Sequence, residues 1–233
     1  MEYDSLLELV KRRRSIRKFQ PKPIPDECLD KILEVAHYAP SGANSQPWEF
    51  VVVKDDEPKR RIIELIKEDD DKGRKIEMLR EPELRFPRTP AGYFLAPVFI
   101  ILCGDARLKD AYPLSSNDHR KSVIFYSSLA NVFLYMTLAA TTLDLGAQWV
   151  SAVNRPYIQP FVKDMLAIPK ELEIYDMLAV GYPDMRPKPR IVRDIEEMTH
   201  HGKYNQAIFR TQEQLRDFIK NLCESRSAAY NKL

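Results

Sequence analysis

PSGANSQPWEFVVV, residues Pro40 to Val53, runs from a helix stop through a loop of Ser, Gly, Asn and Gln directly into an aromatic, β-branched strand. Polar groups on such a loop are held on a rigid edge, where binding residues concentrate. The plainer reading is an ordinary turn whose Asn, Ser and Gln are simply solvated. About one helix upstream, RRSIRKF (Arg13 to Phe19) offers three guanidinium groups, an ammonium and a hydroxyl within seven residues. That set suits a phosphorylated ligand. Its simpler reading is a basic helix end favoured by the helix dipole. A nucleic-acid patch would need further basic stripes and aromatics, which are absent nearby.

Outward from these stretches, Ser5 and Glu8 have capping-box spacing and predict a helix with Leu6, Leu7, Leu9 and Val10 as its apolar stripe, delivering Arg13 and Arg14 at its end. Pro21, Pro23 and Pro25 force an extended link. Asp26 is the predicted cap of a second helix with Leu29, Ile32, Leu33 and Ala36 on one face. Trp48–Val53 and Pro97–Cys103 read as strands covered on both faces. Between them, 57–84 is charged and helix-compatible. Its Glu68, Asp69, Asp70 and Asp71 lack the alternating spacing of a calcium loop and read as a solvated face. Residues 85–93 read as a loop.

Residues 120–143 form a helix apolar on more than one side, hence a central or dimer-interface helix. Residues 145–153 follow a glycine turn as a strand or extended segment with a buried tryptophan, Trp149. A short helix from Gln159 and a last strand, Asp176 to Pro183, come next. From Arg186 the chain is proline-rich and basic, then polar. It ends in a helix capped by Thr211 with Gln214 and carrying Leu215, Phe218, Ile219 and Leu222 on one side, an arm suited to a second subunit.

The chain has 233 residues, 44% of them hydrophobic, enough for one large domain with a full core. Net charge is +2, from 36 Lys and Arg against 34 Asp and Glu, so no global field favours DNA or an anionic membrane. Cys28, Cys103 and Cys223 match no metal spacing and point to buried thiols in a reducing compartment. MEYDSLLELVKRRRS reverses the charge order of a signal peptide, and no run reaches the roughly 18 to 20 apolar residues of a membrane span. A cytoplasmic, soluble protein is expected. His37, His119, His200 and His201 form neither a triad nor a metal spacing, and no metal site is expected. Ser15 and Ser41 lack the neighbours a hydrolase needs.

The two opening stretches, with LGAQWVSAV (Leu145 to Val153) and the GYP strand end followed by RPKPR, resemble the nitroreductase superfamily, from about Ser5 to Thr199. The resemblance implies an α+β fold with a central, mostly antiparallel sheet flanked by helices, in an intertwined homodimer with FMN at two interface sites. Residues 1–199 would be the FMN-binding domain and 200–233 a C-terminal arm and helix packing on the dimer. By the same resemblance Arg13, Arg14, Ser15 and Arg17 bind FMN, and Lys188 and Arg190 complete its phosphate site. Pro40, Ser41, Gly42, Asn44 and Gln46 reach the flavin held mainly by the other subunit, with Asn44 at the pyrimidine edge or ribityl chain. Trp149, Val150, Ser151 and Ala152 lie along one face of the flavin ring, and the Ser151 hydroxyl or the Ala152 amide donates to N5. Arg17 lies near N1 and the C2 carbonyl. Ser151 and Arg17 are thus the candidate catalytic residues.

The implied activity is ping-pong transfer of electrons from NADH or NADPH to an electron-poor small molecule such as a nitroaromatic, a quinone or an activated alkene. No nucleic acid or membrane partner is implied. The alternatives are a reductive dehalogenase, an oxygen-dependent flavin destructase and a non-catalytic flavin-binding protein. Deiodinases of this superfamily carry a lid with a Glu-x-x-x-Tyr pair, which residues 57–94 lack. The destructases carry an Asp where this chain has Ser15.

Overall fold

The computed structural model describes residues 2–85, 92–187, 190 and 192–230, with side chains as far as Glu224. Two compact units divide the chain: 1–69 with 91–187, and 70–90 with 188–233.

The first unit is built on β1 (Trp48–Val53), β2 (Val98–Asp105), β3 (Gly146–Val150) and β4 (Leu172–Gly181), in the order β1-β2-β4-β3 with every neighbouring pair antiparallel. Period-two alternation along β2 assigns Val98, Ile100 and Leu102 to one face and Phe99, Ile101 and Cys103 to the other. The first face is covered by α2 (Asp26–His37) and α4 (Asp118–Thr142), through Leu29, Ile32 and Ala36 and through Phe125, Leu129, Val132, Phe133 and Met136. The second face is covered by α3 (Asp56–Glu77) and α5 (Gln159–Met165), through Ile62, Ile66 and Val162, together with Ile16 and Phe19. Each of the buried Val, Leu, Ile, Phe and Met side chains among these contributes about 1.5–3 kcal/mol.

Several sequence expectations are corrected here. α1 (Tyr3–Arg12) starts before Ser5, so Ser5 lies inside the helix, and Glu2 takes the cap position without a side-chain bond. None of α1's residues is fully buried: of its apolar stripe, Leu7 and Leu9 are half-buried and Leu6 and Val10 exposed. Asp26 is the first helical residue rather than the cap. Pro25 takes the cap position, and the Asp26 carboxylate pairs with Lys54. β1 is an edge strand, half-covered along most of its length, while β2 is buried on both sides. β2 begins at Val98 because Pro97 has no N–H for the ladder; the Pro97 carbonyl instead accepts from the Lys59 ammonium at 2.8 Å. The turn before β3 is made by Asp144 at φ 56°, not by a glycine, and β4 starts four residues earlier than Asp176.

α4 is by composition long and apolar enough to cross a bilayer, against the expectation that no run is, but half of that stretch is buried inside the protein. The three thiols are free. Cys103 is buried, and burial pushes it up to about 12, so it stays protonated.

In the second unit, α6 (Gln212–Tyr230) carries the anticipated reciprocal cap: the Gln214 amide N–H donates to Thr211 Oγ1 at 3.2 Å and the Thr211 N–H to Gln214 Oε1 at 2.9 Å. Arg216 pairs with Glu81 and Glu83, Lys220 lies 3.7 Å from Glu83, and Cys223 Sγ lies 3.7 Å from the Leu84 carbonyl oxygen.

Candidate functional site

The basic run leaves α1 at Arg13, its C-terminal cap residue, and is stitched to the sheet at once. Ser15 forms a parallel bridge with Ala147, and the Ile16 N–H donates to the Ala147 carbonyl at 3.0 Å. Gly146 permits this approach, since a Cβ there would lie 2.6 to 2.9 Å from three atoms of the Ile16 side chain. Further along, the Gln20 N–H donates to the Tyr182 carbonyl and the Asp184 N–H to the Lys18 carbonyl, both at 2.9 Å, so the run also pairs with the chain leaving β4. Ile16 and Phe19 anchor it in the core while Arg13, Arg14, Ser15 and Arg17 are half-buried. Ile16 and Phe19 thus fix the run to the core, and the Ser15 bridge brings its backbone beside β3. Arg12 does a different job: it donates to the Thr141 carbonyl at the end of α4 at 3.0 Å.

Beside this run lies a residue that sequence reasoning missed. Gln148 on β3 is 7% exposed, and its side-chain oxygen accepts no hydrogen bond among the described residues. A buried unmet acceptor costs roughly 1–3 kcal/mol, which a donor on a bound molecule would recover. Its signal was a glutamine inside an apolar strand.

The 40–46 loop rests on α4. The Gly42 N–H donates to Ser128 Oγ at 3.1 Å, Asn131 Nδ2 donates to the Pro40 carbonyl at 3.0 Å, and the Ser45 and Tyr112 hydroxyls lie 3.2 Å apart. Ser41 Oγ accepts from the Gln46 N–H at 3.0 Å, closing the loop on itself. Ala43, Asn44 and Gln46 all hold left-handed backbone, at φ 51°, 50° and 44°. Each costs on the order of 1–3 kcal/mol, a strain that marks ligand clamps. The side chains of Asn44 and Gln46 are exposed.

Val150 ends β3, and Ser151 to Asn154 form one 3-10 turn. Ser151 is exposed and Ala152 half-buried. Trp149, expected inside, is 42% exposed; its ring leans on Phe133 with centroids 4.1 Å apart. Trp149 Nε1 donates to Asp176, and Asn154 Nδ2 donates to the same carboxylate at 2.9 Å. Burial pushes Asp176 up to about 6, against the indole bond, which lowers it. Asp176 and Asn154 were not singled out in the sequence; the signal was a carboxylate within the apolar run of β4.

The structure therefore brings the basic run and β3 together, and holds the 40–46 loop apart on the same chain. Ser128 and Thr141, which anchor the loop and Arg12, stand about 20 Å apart along α4. Lys188 lies outside the described residues, and Arg190 is exposed in the second unit. Among the described residues no His, Cys, Asp and Glu cluster could hold a metal.

The sequence profile of the Nitroreductase family matches residues 10–182. The chain belongs to the nitroreductase family. A protein of Methanothermobacter thermautotrophicus, provisionally named an NADH dehydrogenase/NAD(P)H nitroreductase, is 30% identical over 191 residues, covering 81% of this chain and 83% of that protein. Iodotyrosine deiodinase 1 of Rattus norvegicus is 30% identical over 189 residues, covering 78% of this nitroreductase-family chain and 64% of the rat protein. A provisionally assigned nitroreductase of Desulfovibrio desulfuricans, solved in complex with FMN, superposes with a TM-score of 0.62 at 25% identity over 86% of this chain and 98% of that one. The α+β nitroreductase fold anticipated from the motifs is the fold observed.

Proposed function

We propose that this protein is a cytoplasmic, homodimeric FMN oxidoreductase that takes electrons from NADH or NADPH and passes them to an electron-poor small molecule. One observation carries the reading: the Ser15 to Ala147 bridge brings the backbone that bears Arg13, Arg14 and Arg17 alongside β3, the strand that holds the unmet, buried oxygen of Gln148. The donor set fits FMN. Guanidinium groups match a phosphate, and an orphan acceptor matches a ligand whose ring edge and ribityl chain carry donors. The FMN complex of the Desulfovibrio desulfuricans relative supports the same choice.

Bound FMN would supply reversible hydride acceptance, letting donor and acceptor use the site in turn. The chain's own part is binding and electrostatics. Arg13 and Arg14 would hold the phosphate end of FMN, and Arg17 would place positive charge near its ring. Gln148 would accept a hydrogen bond from the bound molecule at β3, and the Ser151 to Ala152 segment would present donors to the ring. No side-chain acid or base is required, since solvent supplies protons.

A second copy of the chain completes the site. Pairing two α4 helices antiparallel about a two-fold axis carries the loop anchored at Ser128 toward the partner's Thr141 end, closing the roughly 20 Å gap left within one chain. The apolar α4 residues left outside support this, with Val123 50%, Tyr126 43% and Leu134 46% exposed.

Reductive dehalogenation is the second reading, favoured by the deiodinase relative. Purified protein should show a flavin absorption spectrum, and the extracted cofactor should be FMN. Arg13→Ala should weaken FMN about tenfold or more while leaving riboflavin nearly unchanged. Equal loss of both would remove Arg13 from the phosphate site, and no binding of either would end the FMN reading. Halide release from a halotyrosine, set against reduction of a quinone or nitroarene, separates the two activities.

A further inference from the structure

The β2 to β4 register slips between Leu102, which pairs with Asp176, and Cys103, which pairs with Ile174, so Tyr175 opposes no residue of β2. Such a bulge re-aims side chains, often beside active sites. Its effect is visible in the core. Ile174 packs in the cluster with Met177, while Tyr175 packs against the opposite cluster, which contains Phe133.

Asp176, next in the chain, is 5% exposed, and two N–H donors converge on it. One carboxylate oxygen accepts from Trp149 Nε1 and the other from Asn154 Nδ2 at 2.9 Å. Asn154 Nδ2 also donates to the Tyr175 carbonyl at 2.7 Å, the carbonyl at the bulge. The network continues: Gln159 Nε2 donates to the Asn154 carbonyl at 3.3 Å, and Gln159 Oε1 accepts from the Ile174 N–H at 3.2 Å. Trp149 and Asn154 flank the segment 150–153 on either side. One buried carboxylate therefore ties down both ends of the turn that contains Ser151 and Ala152.

We infer that Asp176 is the positioning residue of the flavin site, fixing through Trp149 and Asn154 where the Ser151 and Ala152 amides stand. This rests on the FMN reading above and extends it to a residue that touches no ligand. A carboxylate is needed because both donors must be met at once; an asparagine offers one acceptor oxygen and turns an NH2 group toward the other donor. Burial opposes ionisation of Asp176, while the Trp149 hydrogen bond favours it.

The test uses the full-length protein as wild type, Asp176→Asn, Trp149→Phe and the double variant. Three readouts are taken: amide hydrogen exchange at 151–154 without cofactor, affinity for FMN and riboflavin, and the reduction potential of bound FMN. Asp176→Asn should raise exchange across 151–154, weaken FMN and riboflavin alike by about tenfold, and shift the potential. In the Trp149→Phe background the same change should cost no more than about threefold, because no indole N–H is left facing the amide.

Equal losses in both backgrounds would make Asp176 a general support of the fold and overturn the inference. Unchanged exchange and potential in Asp176→Asn would overturn it as well. Absence of flavin binding by the wild type is the separate failure of the FMN reading, and the exchange data then decide alone whether Asp176 holds the turn. Should Asp176→Asn not fold, Trp149→Phe must by itself raise exchange at 151–154, or the clamp is rejected.

Discussion

Replacing Asp176 by Asn makes a neutral reference against which the pH dependence of one buried carboxyl is read. Desolvation raises this group from 3.8 to about 6, even though the Trp149 indole N–H donates to it and pulls the other way. A carboxyl raised on folding is protonated preferentially in the native state. Its stabilising contribution is complete below the unfolded value, declines as pH rises through the window from about 4 to about 6, and is level above that. A rise of roughly two units corresponds to about 3 kcal/mol. That figure is a ceiling, because the Asn154 bond also favours the ionised form.

Tyr175, next in the chain, is itself raised by burial and by the Asp176 charge, and Tyr126 is held at about 12, so neither phenol titrates in this window. Glu173, which accepts from Tyr126 and pairs with Lys109, is common to both proteins and cancels in the difference. Urea unfolding of wild type and Asp176→Asn at pH 4, 5, 6 and 7.5, at one protein concentration, supplies the measurement. The wild-type minus variant difference should favour wild type most at pH 4 and fall by up to about 3 kcal/mol by pH 6 to 7. A flat difference, or one that grows with pH, would mean that the carboxyl is not desolvated as the structure has it.

Gly42→Ala should destabilise by about 1–3 kcal/mol in chemical denaturation, since its Cβ would fall 2.1 Å from Ile124 Cγ2, and Ile124→Ala should recover part of that loss; additive effects would place the loop elsewhere. Leu134→Glu puts a charge in the exposed stripe of α4 and should convert the proposed dimer to monomer in sedimentation, weakening the proposed FMN binding in the same step; a variant that remains dimeric would remove α4 from the proposed interface.

Local patterning determined much of this protein. The turn chemistry of Pro40 to Gln46 and the apolar runs of the strands are short-range signals, and the elements they predicted are present. The Thr211 to Gln214 cap was equally readable, because both partners lie within one helical turn. Where local rules failed, the structure differs through contacts distant in sequence: Asp26 pairs with Lys54 instead of capping its helix, and Trp149, read as buried, is half-exposed with its indole bonded to Asp176 on the neighbouring strand.

Only the tertiary structure could show Gln148 as an unmet acceptor or Asp176 as the tie between Trp149 and Asn154. Glutamine and aspartate within a strand have the same sequence appearance whether they meet solvent or core. Their burial, and in β4 the bulge at Tyr175, follow from pairing register across residues far apart in the chain, which no local pattern encodes. The same holds for the placement of the 40–46 loop and the basic run: each motif was legible by itself, and only the structure shows the loop anchored on α4 at Ser128 and the run bridged to β3 at Ala147.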